Sequence, residues 1–277
     1  MVPTVLAHAV RTSTDRREPA MNEQRPTAVD HFLGEGLITD VVRVVKSGKE
    51  ASVHLCRADP TISGEPFVAL KLYHPLDRRD FRDESVYRDG EWIKERRVRV
   101  ALARRTRFGR EVRSAIWVHR EWEALRLLHE AGAPVPRPIA LGPDAILMSF
   151  VGDQELAAPQ LRSIRPGPGD ARDLFEQVIR AIELMLYRDV VHGDLSAYNL
   201  LVWEGRVTVI DLPQAVDAKK NRFARGLLQR DVRRVCEYFA RYAVAADADR
   251  ITDDLWTAWE LAELVPEELR AELRLDL

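Results

Sequence analysis

One short stretch of the chain has the residue types and spacing of a chemical site. His192, Asp194, Leu195 and Asn199 follow the pattern H-x-D-L-x-x-x-N within VVHGDLSAYNLL, and Asp211 comes directly after the apolar run VTVI. Carboxylate and carboxamide oxygens are hard donors that suit Mg²⁺, a cation that takes few protein ligands and keeps several waters. A carboxylate beside an accepting oxygen, with divalent cations to neutralise phosphate charge, is what phosphoryl transfer requires. The alternative for such a loop is a polar turn whose Asp and Asn satisfy nearby backbone groups.

Those oxygens are useful only if something holds them still. The apolar runs Leu200–Val202 and Val207–Ile210 read as two short strands flanking the loop. Upstream, LITDVVRVV from Leu37 and SVHLCRA read as strands around the turn Ser47–Ala51, and FVALKLY, Phe67–Tyr73, as a third strand beyond ADPTISGEP. Successive strands joined by turns form an antiparallel meander. AIWVHREWEALRLLHEAG has helical apolar spacing through Trp117, Trp122, Leu125 and Leu128, and stops at Gly132. APVPRPIAL reads as a Pro-rich connector, AILMSFV as a strand and GDQELAAPQL as a loop. A long helix is expected from Ala171 to about Arg188, and the rest reads as helical in GLLQRDVRRVCEYFARYA, DDLWTAWELAEL and PEELRAELRL. The order predicts an α+β chain of two unequal lobes, without internal repeats. We expect a disordered arm over 1–30, a smaller lobe over 31–148 with a flexible charged loop at 75–113, and a helical lobe over 149–277.

The loop and its following aspartate resemble the protein-kinase signature, and VALK, Val68–Lys71, matches that signature's V-A-I-K. Lys71 would contact the α- and β-phosphates, and Glu121 or Glu123 of HREWEAL would hold it in place. SGKEAS contains a single glycine, Gly48, so it is neither GxxxxGK[ST] nor GxGxxG. Its backbone N–H groups and the hydroxyls of Ser47 and Ser52 can embrace phosphates; otherwise it is a hairpin turn.

Taken together, SGKEASVH, VALKLY, HREWEALRLLHEAGAPVPRPIAL, ILMSFVG, APQL, VVHGDLSAYNLL and VIDLPQAVD resemble the RIO family of atypical protein kinases, in the family's order from about Val41 to Asp217. QRDVRRVCEYFARY resembles that family's closing helix. The resemblance implies a bilobal protein-kinase-like fold: a small antiparallel-sheet N-lobe with one helix, and a reduced, mostly helical C-lobe. It implies serine/threonine protein kinase or ATPase activity with ATP and Mg²⁺ or Mn²⁺. By the same resemblance Glu121 is the partner of Lys71, Asp194 the catalytic aspartate, and Asn199 and Asp211 metal ligands. Ser47, Gly48, Lys49, Glu50, Ala51, Ser52 and Val53 would bind ATP. Ser149 C=O and Val151 N–H would read adenine, with Met148 as gatekeeper. Asp211 would also take up phosphate transiently, making the enzyme partly an ATPase. The chain departs from ordinary kinases in following Asp211 with Leu-Pro, in lacking A-P-E, and in carrying Ser196 where many serine/threonine kinases carry lysine. Residues 212–277 are too few for an activation segment and a full peptide-docking lobe.

Other readings compete. HGDLSAYNLLV also resembles the loop of aminoglycoside and choline phosphotransferases, although SGKEAS fits the RIO pattern better. A nucleotide-gated ribosome assembly factor would use the same site, since RIO families of archaea and eukaryotes act in small-subunit maturation. The formal net charge of −2 gives no global attraction to nucleic acid or membrane. The Arg-rich stretch Pro75–Arg113 would touch RNA or a ribosomal particle, or else be a solvated loop of mixed charge, the reading we favour. Ser85 and Thr106 within it are candidate autophosphorylation sites. No run approaches the roughly 18 apolar residues of a membrane span, and the first residues lack a signal peptide's basic start. Cys56 and Cys236 are far apart and fit a reducing cytoplasm. His31, His54, His74, His119 and His129 show no metal spacing, and His192 is expected to hold the loop through hydrogen bonds.

Overall fold

A computed structural model describes residues 27–74 and 107–264. Helix α1 (Ala28–Gly34) opens with a capping box in which Thr27 and Asp30 satisfy each other's backbone N–H. Helix α1 thus begins within the stretch 1–30, and its Phe32 is fully buried. Residues 1–26 lie outside the described residues. Strands β1 (Asp40–Ser47), β2 (Ala51–Arg57) and β3 (Phe67–Tyr73) form the expected antiparallel meander. A short helix, α2 (Pro60–Ser63), sits in the turn between β2 and β3.

Helix α3 (Arg107–Glu130) begins well before Ala115, so the last residues of the charged 75–113 segment are helical. The remainder of that segment, 75–106 with Ser85 and Thr106, lies outside the described residues. The Pro-rich connector ends in a strand, β4 (Pro138–Gly142), paired with β5 (Ala145–Ser149). Proline lacks an N–H and is tolerated at the start of an edge strand. The sheet order is β1-β2-β3-β5-β4, which makes β4 an edge and β3 the central strand.

Period-two alternation divides β3 between two cores. Val68 and Leu70 pack with Phe32, Ile38 and Leu147 on the outer side of the sheet. Ala69 and Tyr73 pack toward the C-lobe, and Lys71 shares their face. On α3 the buried positions with described side chains are Trp117, Val118, Glu121, Leu125 and Leu128, a helical stripe that includes one carboxylate. The sheet and this helix thus turn a lysine and a glutamate toward the same interior.

The C-lobe continues through a 3₁₀ turn (Leu161–Ser163), helix α4 (Pro168–Tyr187), β6 (Val190–Val191), β7 (Leu200–Trp203), β8 (Arg206–Val209), β9 (Val216–Asp217), α5 (Ala224–Ala240) and α6 (Ala248–Leu264). Helix α4 starts earlier than Ala171, with a proline in its first turn where the missing N–H costs nothing. Strand β7 pairs with β8, and β6 with β9, antiparallel. Val178, Met185, Leu195, Leu200 and Phe239 are almost fully buried in the C-lobe core. Each such aliphatic or aromatic side chain contributes about 1.5–3 kcal/mol of transfer free energy. Cys56 and Cys236 are free and buried. Among the described residues no helix is long and apolar enough to cross a membrane. PEELRAELRL lies outside them.

Candidate active site

A cleft of about 620 Å³ runs between the sheet and the C-lobe. Its roof includes Gly48, Lys49, Glu50, Ala51 and Val53, and Met148, Ser149 and Val151 also line it. Ser47 and Ser52, expected to offer hydroxyls to phosphate, do not line it. Ser52 alternates with Ala51 and Val53 along β2, so its hydroxyl faces the other way and bonds His54 Nε2 at 2.9 Å. The roof closes as a tight turn through Gly48 N–H donating to Ala51 C=O at 2.9 Å. Beyond β5, Val151 C=O accepts from Ala158 N–H at 2.9 Å. Gly152 follows at φ +134°, where a Cβ would lie 2.4 Å from Leu156 O; only glycine permits the chain to double back there.

Lys71 is the centre of the cleft's charge. Its Nζ donates to Glu121 Oε1 at 2.7 Å, to Glu121 Oε2 at 2.8 Å and to Asp211 Oδ1 at 2.7 Å. Glu121, and not Glu123, is thus the partner; Glu123 sits on the outer face of α3, 3.5 Å from Arg126. Lys71 and Glu121 are 9% and 4% exposed, whereas Asp211 is 44% exposed to the cleft. Burial alone would lower the Lys71 pKa, but the charges of Asp211 and Glu121 outweigh it and raise it. Burial opposes ionisation of Asp211 too, yet Lys71 holds its carboxyl below the usual range. For Glu121 burial prevails and the pKa rises, against the pull of Lys71. Asp211 adopts φ +70°, a left-handed conformation that aspartate tolerates better than most residues. This breaks the line of β8 just where the carboxylate must enter the cleft.

Asp194 and Asn199 are absent from the cleft wall and lie in the loop beside it. His192, 3% exposed, ties this loop to Asp211. Its Nδ1 accepts from Asp194 N–H at 3.3 Å, and its Nε2 donates to Ile210 C=O at 3.1 Å. Those roles select the neutral Nε2–H tautomer, and burial lowers the His192 pKa in the same sense. Ile210 N–H in turn donates to Asn199 C=O at 3.0 Å. Asn199 Nδ2 donates to Asp194 C=O at 3.0 Å, which leaves its Oδ1 as the acceptor.

The sequence matches the RIO domain family over residues 52–251. The chain belongs to the RIO kinase family. It is 31% identical over 192 residues to the RIO-type serine/threonine-protein kinase Rio1 of Thermoplasma acidophilum, across 69% of this chain and 95% of that protein. It is 30% identical over 243 residues to human serine/threonine-protein kinase RIO1, across 86% of this chain but 40% of the human protein. The chain therefore spans less than half of the human RIO1 and nearly all of the archaeal Rio1. The crystal structure of the Rio2 kinase–ADP/Mg²⁺–phosphoaspartate complex from Chaetomium thermophilum superposes with a TM-score of 0.61 at 20% identity, over 90% of this chain and 74% of that one. The RIO kinase fold is thus shared.

Several groups in this RIO site escaped the sequence reading. Asp231 of α5 accepts from Gly193 N–H at 2.8 Å through Oδ2 and from Leu195 N–H at 3.0 Å through Oδ1. Arg230 Nη2 donates to Gly193 C=O. Arg234 Nη1 donates to Asp194 Oδ1 at 2.7 Å. Gln160 Nε2 bonds Tyr198 C=O at 2.5 Å, and the Arg162 guanidinium lies 4.3 Å from the Tyr198 ring. A signal existed for Asp231: it interrupts the apolar stripe Leu227, Leu228, Val232, Val235. A carboxylate at a core position needs buried donors, and loop N–H groups supply them.

Among the described residues no group of three or more His, Cys, Asp or Glu forms a metal cage. Asn199 and Asp211 offer two oxygen donors, the small protein share that Mg²⁺ takes when water and phosphate complete its shell. The donor set therefore fits such a cation.

Asp231 is 1% exposed, and burial pushes its pKa up to about 7, against the bonds from Gly193 and Leu195 and the charge of Arg230. Between its ordinary value of 3.8 and about 7 the folded state keeps a proton that the unfolded state has released. Stability attributable to this group falls as pH rises through that window and levels off above it. Asp231→Asn removes this slope. Denaturation of both proteins from pH 4 to pH 8 checks it; a constant difference between them would mean that the carboxylate is ionised throughout.

Proposed function

We propose that this RIO-family chain transfers the γ-phosphoryl group of ATP to a serine or threonine hydroxyl of a protein. The observation that carries the reading is Lys71, bonded at once to Glu121 from α3 and to Asp211 from the C-lobe. That arrangement aims a fixed cation at bound phosphates beneath the Gly48 turn. Adenine would lie against Met148 and read Ser149 C=O and Val151 N–H. Mg²⁺ or Mn²⁺, held by Asn199 Oδ1 and the Asp211 carboxylate, would neutralise phosphate charge. The acceptor oxygen bonds to γ-phosphorus, the bond from γ-phosphorus to the ADP oxygen breaks, and the hydroxyl proton passes to Asp194.

A second route is favoured by the exposure of Asp211 in the cleft. Its carboxylate accepts the phosphoryl group, and water then hydrolyses the acyl phosphate, so that the sum is ATP hydrolysis. The related Rio2 structure is described as a phosphoaspartate complex. Incubation with γ-labelled ATP and Mg²⁺ separates the routes: serine or threonine phosphate survives acid, and acyl phosphate is cleaved by hydroxylamine. The proposal fails if neither label nor ADP appears and calorimetry detects no nucleotide binding with Mg²⁺ or Mn²⁺. Buried free cysteines fit a reducing cytoplasm. Contact with RNA or a ribosomal particle through 75–113 stands as a proposal whose mark would be binding that weakens steeply with salt.

A further inference from the structure

Helix α5 grips the catalytic loop with three side chains from one turn. Arg230 and Asp231 hold backbone groups of Gly193 and Leu195. The Asp194 backbone is secured as well, by His192 Nδ1 at its N–H and by Asn199 Nδ2 at its C=O. Those bonds position the main chain but do not reach the carboxylate. A carboxylate that is 42% exposed on a fixed backbone still turns about χ1 and χ2. Arg234 meets it directly, 2.7 Å from Oδ1.

Charge makes the same point. The loop HGDLSAYN contains neither Lys nor Arg. His192 is buried, with its pKa lowered. The positive charge beside Asp194 comes from α5, three residues after Asp231 and four after Arg230, on the same helical face.

We propose that Arg234 is a positioning residue for phosphoryl transfer: it holds Asp194 by Oδ1, keeps Oδ2 turned toward the acceptor hydroxyl, and supplies the cation that this loop lacks. The inference rests on reading Asp194 as the proton acceptor. In the step it serves, the hydroxyl oxygen bonds to γ-phosphorus, the bond to the ADP oxygen breaks, and the hydroxyl proton moves to Asp194 Oδ2. Arg234 is 39% exposed, and pairs this exposed add little to stability. Its loss should therefore appear in the rate and not in the melting temperature.

The test compares wild type with Arg234→Met, Arg234→Ala, Arg234→Lys, Asp194→Asn and the double variant Asp194→Asn/Arg234→Met. Acid-stable labelling from ATP, calorimetric nucleotide affinity and melting temperature are measured for each. Arg234→Met is expected to lower kcat on the order of 10²-fold, the effect of a misaligned reacting group, with KM for ATP and melting temperature unchanged. Arg234→Lys retains part of the rate. Free guanidinium ion at a non-denaturing concentration restores Arg234→Ala but not Asp194→Asn, and the double variant is no slower than Asp194→Asn alone. An unchanged or raised kcat in Arg234→Met, beside a collapsed Asp194→Asn, overturns the role of Arg234. A rate loss matched by lost melting temperature, with no guanidinium rescue, also overturns it, because the arginine is then structural. Full activity in Asp194→Asn would instead remove the reading of Asp194 on which the inference rests.

Discussion

Asp194→Asn slows transfer from ATP to a hydroxyl by about 10²–10⁴-fold, the usual contribution of a positioned proton acceptor. Asparagine has the same shape, and its Oδ1 can still accept from Arg234. The loop bonds made by His192, Asn199 and Asp231 reach backbone atoms of residues 193–195, so the fold and ATP affinity should survive. The variant thus isolates proton acceptance. It also tells the two chemical routes apart. A carboxylate acceptor brings no proton, so single-turnover labelling of Asp211 should be much less affected than labelling of serine or threonine. Rapid-quench measurement of acid-stable and hydroxylamine-labile product reads both. Equal rates of acid-stable labelling in variant and wild type would exclude Asp194 from the reaction.

Lys71→Met is expected to cost about 3–5 kcal/mol of stability along with phosphoryl transfer, because it strands a buried carboxylate. Glu121 is 4% exposed and receives two short bonds from Lys71. Without them it must take up a proton or draw in water. Replacing both residues, Lys71→Met with Glu121→Leu, removes the stranded charge and should return stability to within about 1–2 kcal/mol of wild type. Activity should stay lost, since the cation fixed between Glu121 and Asp211 is then gone. Urea denaturation and ATP turnover on the same samples decide the matter. A single variant that loses less than about 1 kcal/mol would show that the pair is hydrated and not buried.

Much of this architecture was legible in the residues. FVALKLY declared a strand through its β-branched and aromatic content, and alternation sends Lys71 to the face of Ala69 and Tyr73. The choice between Glu121 and Glu123 rested on resemblance, yet helix geometry decides it too. Glu121 falls on the stripe of Val118, Leu125 and Leu128, and Glu123 does not. Alternation would also have turned Ser52 away from the cleft. A hydroxyl's chemistry suggests phosphate binding, but which face of a strand it occupies is set by its neighbours. Strand β4 was hidden by prolines, whose breaker signal is local while edge-strand tolerance depends on the whole sheet. The first turns of α3 were hidden because RFGREVR lacks a clear apolar stripe. Arg234 was beyond reach for another reason. Its partner is 40 positions away, and a helical arginine gives no local sign of which distant carboxylate it meets.

The grip of α5 bears on how the chain can tolerate change in length. Each residue of an α-helix turns the next by about 100° and advances it about 1.5 Å. One codon inserted between Asp231 and Arg234 would swing the guanidinium away from the loop while Asp231 stayed in place. The same insertion in the Lys219–Phe223 turn ahead of the helix leaves that internal spacing intact. Helix α5 therefore acts as a ruler, and insertions or deletions in descendants of this chain should collect outside its central turns.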